Sequence, residues 1–170
     1  MNNFPLVYNS VTTERKICCN NVWIFFGEKT HGKRGRGMTI RECYQKLGGN
    51  FAQAETRLSS GKLVERFLAK FLDDGSFSEL CIAMDQRDRN KAFRAAHTLK
   101  GVSASLSLSK LLSSTSRLAE LLRDGTDTIS MEAYLVFEEL KRDYELTVSA
   151  IRAYLDSDRG ERTYAEGARK

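Results

Sequence analysis

The chain has 170 residues, of which 41% are hydrophobic and 29% charged, and a formal net charge of +5. That length supports one domain with a real core and leaves no room beside it for an ATP-binding domain. The charge is uneven: residues 1–37 hold six Lys or Arg against two Asp or Glu, giving +4, and the other 133 hold 21 against 20, giving +1. A nearly neutral body argues against a nucleic-acid partner, which calls for a basic face on the domain itself.

Residues 1–37 differ from the rest of the chain. Asn2, Asn3, Asn20 and Asn21 break any period. The longest apolar stretch here, Val22-Trp23-Ile24-Phe25-Phe26, is far too short to cross a bilayer. The segment ends in Lys29-Thr30-His31-Gly32-Lys33-Arg34-Gly35-Arg36-Gly37, just before Met38. Lys, Arg and Gly can all be written with purine-only codons. The run therefore reads as a translated bacterial ribosome-binding site, and Met38 as the biological start. On that reading 1–37 is an irregular basic leader outside the native protein. The alternative is a basic tail that touches acidic partners.

From Met38 the signals are regular. There is one proline, Pro5, and no alternating β-type run after the first forty residues. Long 3.6-period segments predict an all-α fold. Thr39-Ile40-Arg41-Glu42 is a capping box that opens a short helix, stopped by Gly48-Gly49. Asn50 caps a second short helix, Phe51 to Leu58. A third helix comes next, with the apolar pairs Leu63/Val64, Phe67/Leu68 and Phe71/Leu72, and ends at Asp73-Asp74-Gly75. Ser76-Phe77-Ser78-Glu79 reads as a second capping box, opening a helix that buries Phe77, Leu80, Cys81 and Met84.

Asp88 or Asn90 caps the next helix, which runs to about Leu106. Leu108, Leu111, Leu112, Thr115, Leu118, Ala119 and Leu122 then form a stripe that ends at Arg123-Asp124-Gly125. Ser130 caps a last long helix, expected from Met131 to about Asp156 with Leu140, Tyr144 and Ile151 in its stripe. Residues 157–170 are aperiodic and are expected to form a frayed tail. Four amphipathic helices, at about 60–73, 89–106, 108–123 and 131–156, joined by short loops predict an antiparallel four-helix bundle over 38–156. The short helices near 39–58 and the one at 77–86 would cover its ends or sides.

The four cysteines, Cys18, Cys19, Cys43 and Cys81, lack metal-site spacing. With no signal peptide and no transmembrane run, a reducing cytoplasmic location is expected. Cys43 and Cys81 fall at apolar helix positions, as small buried residues.

The helix around His97 carries the chemistry. At about 100° per residue, Ala92, Ala95, Leu99, Val102 and Leu106 share one face. His97 points the opposite way, to solvent. Arg94, Lys100 and Gly101 are its neighbours at three and four residues. A neutral exposed imidazole is a nucleophile that can take a phosphoryl group from a donor on another protein. Lys100 can neutralise phosphoryl oxygens, and phosphoryl transfer depends mainly on such positioning and charge. Glycine inside a helix costs about 1 kcal/mol relative to alanine, so Gly101 implies either steric access beside the histidine or close packing. Phe93, one turn before His97, is either partly buried or an apolar docking spot, and Ala104 extends a flat patch with Gly101.

His97-Thr98-Leu99-Lys100-Gly101, followed by Leu106 and Leu108, resembles the His-x-Leu-Lys-Gly signature of histidine-containing phosphotransfer (HPt) domains. Those are four-helix bundles in multistep phosphorelays. The resemblance covers about 39–156. It implies that His97 accepts the phosphoryl group, Lys100 stabilises it and Gly101 admits the receiver domain, with Phe93, Arg94 and Ala104 in the contact. It implies a phosphorelay carrier without kinase activity of its own, whose partners are response-regulator receiver domains or a hybrid histidine kinase. No cofactor, nucleic acid or membrane is expected, and the Mg²⁺ would sit in the receiver. Two residues depart from the family pattern. Ser107 stands where glycine is common, and it can instead cap the next helix. Ala119, with Glu120 beside it, stands where many members carry a polar group that orients the histidine.

Two alternatives remain at this point. One is a receiver-binding scaffold of the same fold that does not transfer, which the Ala119 departure favours. The other is a basic nucleic-acid-binding bundle, whose only feature is the 29–37 run. With just two histidines, and His31 in the leader, no Ser/His/Asp or Cys/His arrangement is formed.

Overall fold

The computed structural model describes Cys18–Cys19, Val22–Trp23, residues 37–123 and residues 128–167. Apart from the four residues in strands and Gly37, the leader lies outside the described residues. Those four form a two-residue antiparallel ladder, β1 (Cys18–Cys19) on β2 (Val22–Trp23). The body is all-α: α1 (Ile40–Lys46), α2 (Phe51–Leu58), α3 (Gly61–Phe71), α4 (Ser76–Asp85), α5 (Arg89–Ser105), α6 (Ser109–Arg123) and α7 (Met131–Gly167).

The helix starts reflect local chemistry. In α1 the capping box forms: the Glu42 N–H donates to Thr39 Oγ1 at 3.3 Å, and the Thr39 N–H to Glu42 Oε2 at 2.7 Å. The Gln53 N–H donates to Asn50 Oδ1 at 3.0 Å to open α2, and the Ala133 N–H to Ser130 Oγ at 3.2 Å to open α7. The second capping box does not form. Ser76 is already helical, Gly75 is the cap and makes no side-chain bond. Asp74 lies two residues earlier and accepts from the Ser76 N–H at 3.0 Å and from its hydroxyl. A carboxylate at that spacing outcompetes Glu79 for the same donors.

The core is assembled by α5 packing along α4 on one side and α6 on the other, with α6 packing along α7. Short connections make these neighbours run back and forth, as in a four-helix bundle. The helix expected at an end or side of the bundle, α4, lies lengthwise on α5. The break at Asp73-Asp74-Gly75 lets both α3 and α4 reach α7: Phe77 stacks on Tyr144 at 3.7 Å between centroids, and Phe71 meets the same ring at 5.7 Å. The sequence-predicted stripes are buried, with Leu111, Leu118, Leu122, Leu140 and Ile151 at the centre.

Helix α7 runs to Gly167, past the Asp156 end and into the predicted tail. Residues 157–167 lack an apolar stripe, but they also lack proline, and Gly160 is the one glycine before Gly167. Without a stop signal a helix already nucleated by packing continues. Near Asp156 the helix is tied to the start of α1: the Met38 N–H donates to Ser157 Oγ at 3.1 Å, and that hydroxyl donates to the Met38 carbonyl at 3.3 Å. Cys43 and Cys81 are both buried, as their positions suggested. Cys43 is a free thiol, whereas Cys81 is disulfide-bonded. Among the described residues no helix is long and apolar enough to cross a membrane.

The short N-terminal helices clamp the far end of α5. The Tyr44 hydroxyl donates to the Leu106 carbonyl at 2.9 Å, the Asn50 N–H to the Ser107 carbonyl at 3.1 Å, and Arg57 to the Ala104 carbonyl. Arg57 thereby puts a cation on the carbonyl end of α5, where the helix dipole favours one. Gly48 takes φ +58, and a Cβ on Gly49 would come within 2.8 Å of the Ser107 carbonyl oxygen. The turn between α1 and α2 therefore nests in the turn between α5 and α6.

Candidate functional site

Helix α5 presents the site. Asp88 caps it by accepting from the Lys91 N–H at 3.0 Å and pairing with the Lys91 ammonium at 2.9 Å. That backbone donor, followed by the Lys91 side chain, holds the Asp88 carboxyl below its ordinary range. The inner face carries Ala92, Ala95, Leu99 and Leu106, all buried, while Val102 is half-buried. Ala96 and Ser103 are also fully buried. The Ser103 hydroxyl is satisfied by donating to the Leu99 carbonyl at 2.7 Å.

His97 is exposed at the middle of the opposite face. Its ring lies 6.0 Å from the Phe93 ring, tilted by 41°, and makes no hydrogen bond or ion pair among the described residues. Phe93 is half-buried against the core, which meets the burial half of its sequence expectation. Gly101 is exposed, and a Cβ built on it meets nothing within 4 Å. This rules out close packing as the reason for that glycine. Lys100 leans toward α6, with its ammonium 3.8 Å from Glu120 Oε1. Arg94 is exposed and Ala104 half-buried on the same side of the bundle.

A groove of about 590 Å³ lies beside the histidine, between α5 and the α2–α3 pair. His97, Gly101 and Val102 line one wall and Phe67, Lys70 and Phe71 the other. A second groove of about 300 Å³ runs between α4 and α5, lined by Ile82, Lys91, Arg94 and Thr98 among others. The described residues gather no group of three or more His, Cys, Asp or Glu that could hold a metal ion.

A family model described as the Hpt domain matches residues 62–155. The chain belongs to this family. Hpt domains are phosphocarrier modules of two-component phosphorelays, and they work with receiver domains and kinases. The matched region runs from α3 into α7, so α1 and α2, which clamp α5, precede it. Comparison with curated proteins and with solved structures finds no match.

Within the Hpt frame the two departures acquire a geometry. Ser107 takes φ +50, the left-handed conformation that glycine adopts freely. Its hydroxyl is buried with no partner, so it does not cap α6. The backbone of this turn asks for the common glycine. Ala119 is buried at 2% exposure and offers no polar atom to the imidazole. Glu120, next to it, is exposed and bridges Lys100 and Arg123.

Sequence reasoning missed three features: the exposed edge of the α3 stripe, the Arg57 contact and the Glu120 ion pair. Phe67 is 42% exposed and Leu63 36%, while Val64, Leu68 and Phe71 are buried. The signal was present: apolar pairs every four residues make a stripe wider than a helix on a bundle edge can bury. The Arg57 contact had no sequence signal, because it joins α2 to the end of α5 across 47 residues that only the fold brings together. The Glu120 ion pair depended on the register between α5 and α6.

Proposed function

We propose that this Hpt protein accepts a phosphoryl group on His97 from the aspartyl phosphate of one receiver domain and passes it to another. The observation that carries the proposal is the solvent-facing, unpartnered His97 ring with open space over Gly101 one turn away. The ring nitrogen attacks phosphorus in line. The N–P bond forms as the P–O bond to the aspartate breaks, and the electron pair returns to the receiver's carboxylate. The other ring nitrogen keeps its proton during transfer. Lys100, on the same face, neutralises phosphoryl charge. The receiver covers Phe93, Arg94 and Ala104 and reaches the groove walled by Phe67 and Lys70. The protein acts as a cytoplasmic carrier in a bacterial relay, without ATP-dependent kinase chemistry of its own.

The test is incubation with phosphorylated receivers. The expected result is an acid-labile phosphate on the wild type that is absent from His97→Gln, with both proteins folded. A wild type that stays unphosphorylated by every receiver that binds it would sink the proposal. That second outcome defines a competing reading, a receiver-binding scaffold. It is favoured by one observation, the absence of a polar group at Ala119 to fix the imidazole tautomer.

A further inference from the structure

The ion pairs around Lys100 form a short chain across the α5–α6 seam. Glu120 uses Oε1 to face the Lys100 ammonium at 3.8 Å and Oε2 to bind Arg123 one turn along α6. The Lys100 side chain is 35% exposed and that of Glu120 50%. Lys100 is thus held against α6 while His97 stands unpartnered one turn away. We propose that Glu120 is a positioning residue, the resting counter-ion of Lys100, and that it competes with a phosphoryl group on His97 for the same ammonium. This rests on the reading that His97 carries the group.

Charge decides the direction. A carboxylate carries one negative charge, here shared with Arg123. A phosphoryl group carries about 1.5 to 2 and three acceptor oxygens. Lys100 is a mobile point charge on a four-carbon stem, so it can change partners without any backbone shift. It therefore leaves Glu120 when His97 is phosphorylated. Loss of that pair lowers the stability of the phosphorylated state. Glu120 sets how readily the carrier gives its cargo up.

The exchange His97 plus aspartyl phosphate to phospho-His97 plus aspartate makes one N–P bond and breaks one P–O bond. Its equilibrium ratio therefore reads that stability directly. The experiment measures this ratio with one receiver for wild type, Glu120→Gln, Lys100→Ala and the double variant. Glu120→Gln is expected to raise this ratio about 1.4- to fivefold, the range an exposed pair's coupling corresponds to. In the Lys100→Ala background the same substitution is expected to change little. The rise is also expected to shrink with added salt. A structural role for Glu120 would alter thermal stability without this Lys100-dependent shift. An unchanged or lowered ratio in Glu120→Gln, or an equal rise without Lys100, overturns the inference while leaving His97 transfer standing. A wild type that takes up no phosphoryl group removes the transfer reading and this inference together.

Discussion

Gly101 separates steric access from structural need. A Cβ at this position meets nothing within 4 Å, so Gly101→Ala introduces no clash. It also replaces the second-worst helix former by the best in the middle of α5. The expected gain is about 1 kcal/mol, or about 4 °C in Tm for a folded body of this size. Gly101→Leu places a branched side chain in the open space beside the imidazole. It is expected to keep or raise Tm but to slow phosphoryl transfer from a receiver by about tenfold or more, equivalent to about 1.4 kcal/mol of barrier. Thermal melting by circular dichroism and a time course of transfer are enough to decide. A lower Tm for Gly101→Ala, or wild-type transfer by Gly101→Leu, would refute the reasoning.

The same geometry sets three further outcomes. Ser107→Gly relieves a left-handed backbone and removes a buried hydroxyl with no partner; urea denaturation is expected to show a gain of about 1 kcal/mol. Tyr44→Phe strips the bond to the Leu106 carbonyl; the expected loss is about 1–2 kcal/mol, and an unchanged midpoint would mean that this tie does not hold α1 on the corner. Burial pushes the Cys43 thiol from 9.0 up to about 11 and the Tyr144 phenol from 10.0 up to about 12, and raises Tyr44 as well. The folded state keeps these protons after the unfolded chain has lost them. Stability is therefore full below about pH 9 and falls as pH rises through 9 to 12, and a flat urea midpoint between pH 8 and 11 would contradict this.

The histidine helix was legible because its evidence is local. The three-four spacing of Ala92, Ala95 and Leu99 fixes the inner face, and His97 then has to stand outside. Caps at Thr39, Asn50, Asp88 and Ser130 were readable for the same reason, since each bonds within three residues. Ser76 failed because a second local acceptor, Asp74, competes at equal range. The extension of α7 failed because an apolar period marks where a helix is buried, and the helix itself ends only at a stop signal. The groove beside His97 lay further from reach. It needs α2 and α3 brought against α5 by Tyr44, Asn50 and Arg57, three contacts that cross 47 residues or more.

The central claim is that His97 carries the phosphoryl group. The most direct measurement is fragmentation mass spectrometry of the protein after exchange with a phosphorylated receiver, under neutral or alkaline conditions that preserve phosphohistidine. The account predicts the added phosphoryl mass on His97, and no added mass in His97→Gln. A phosphoryl group found on any other residue, or still present in His97→Gln, would contradict it.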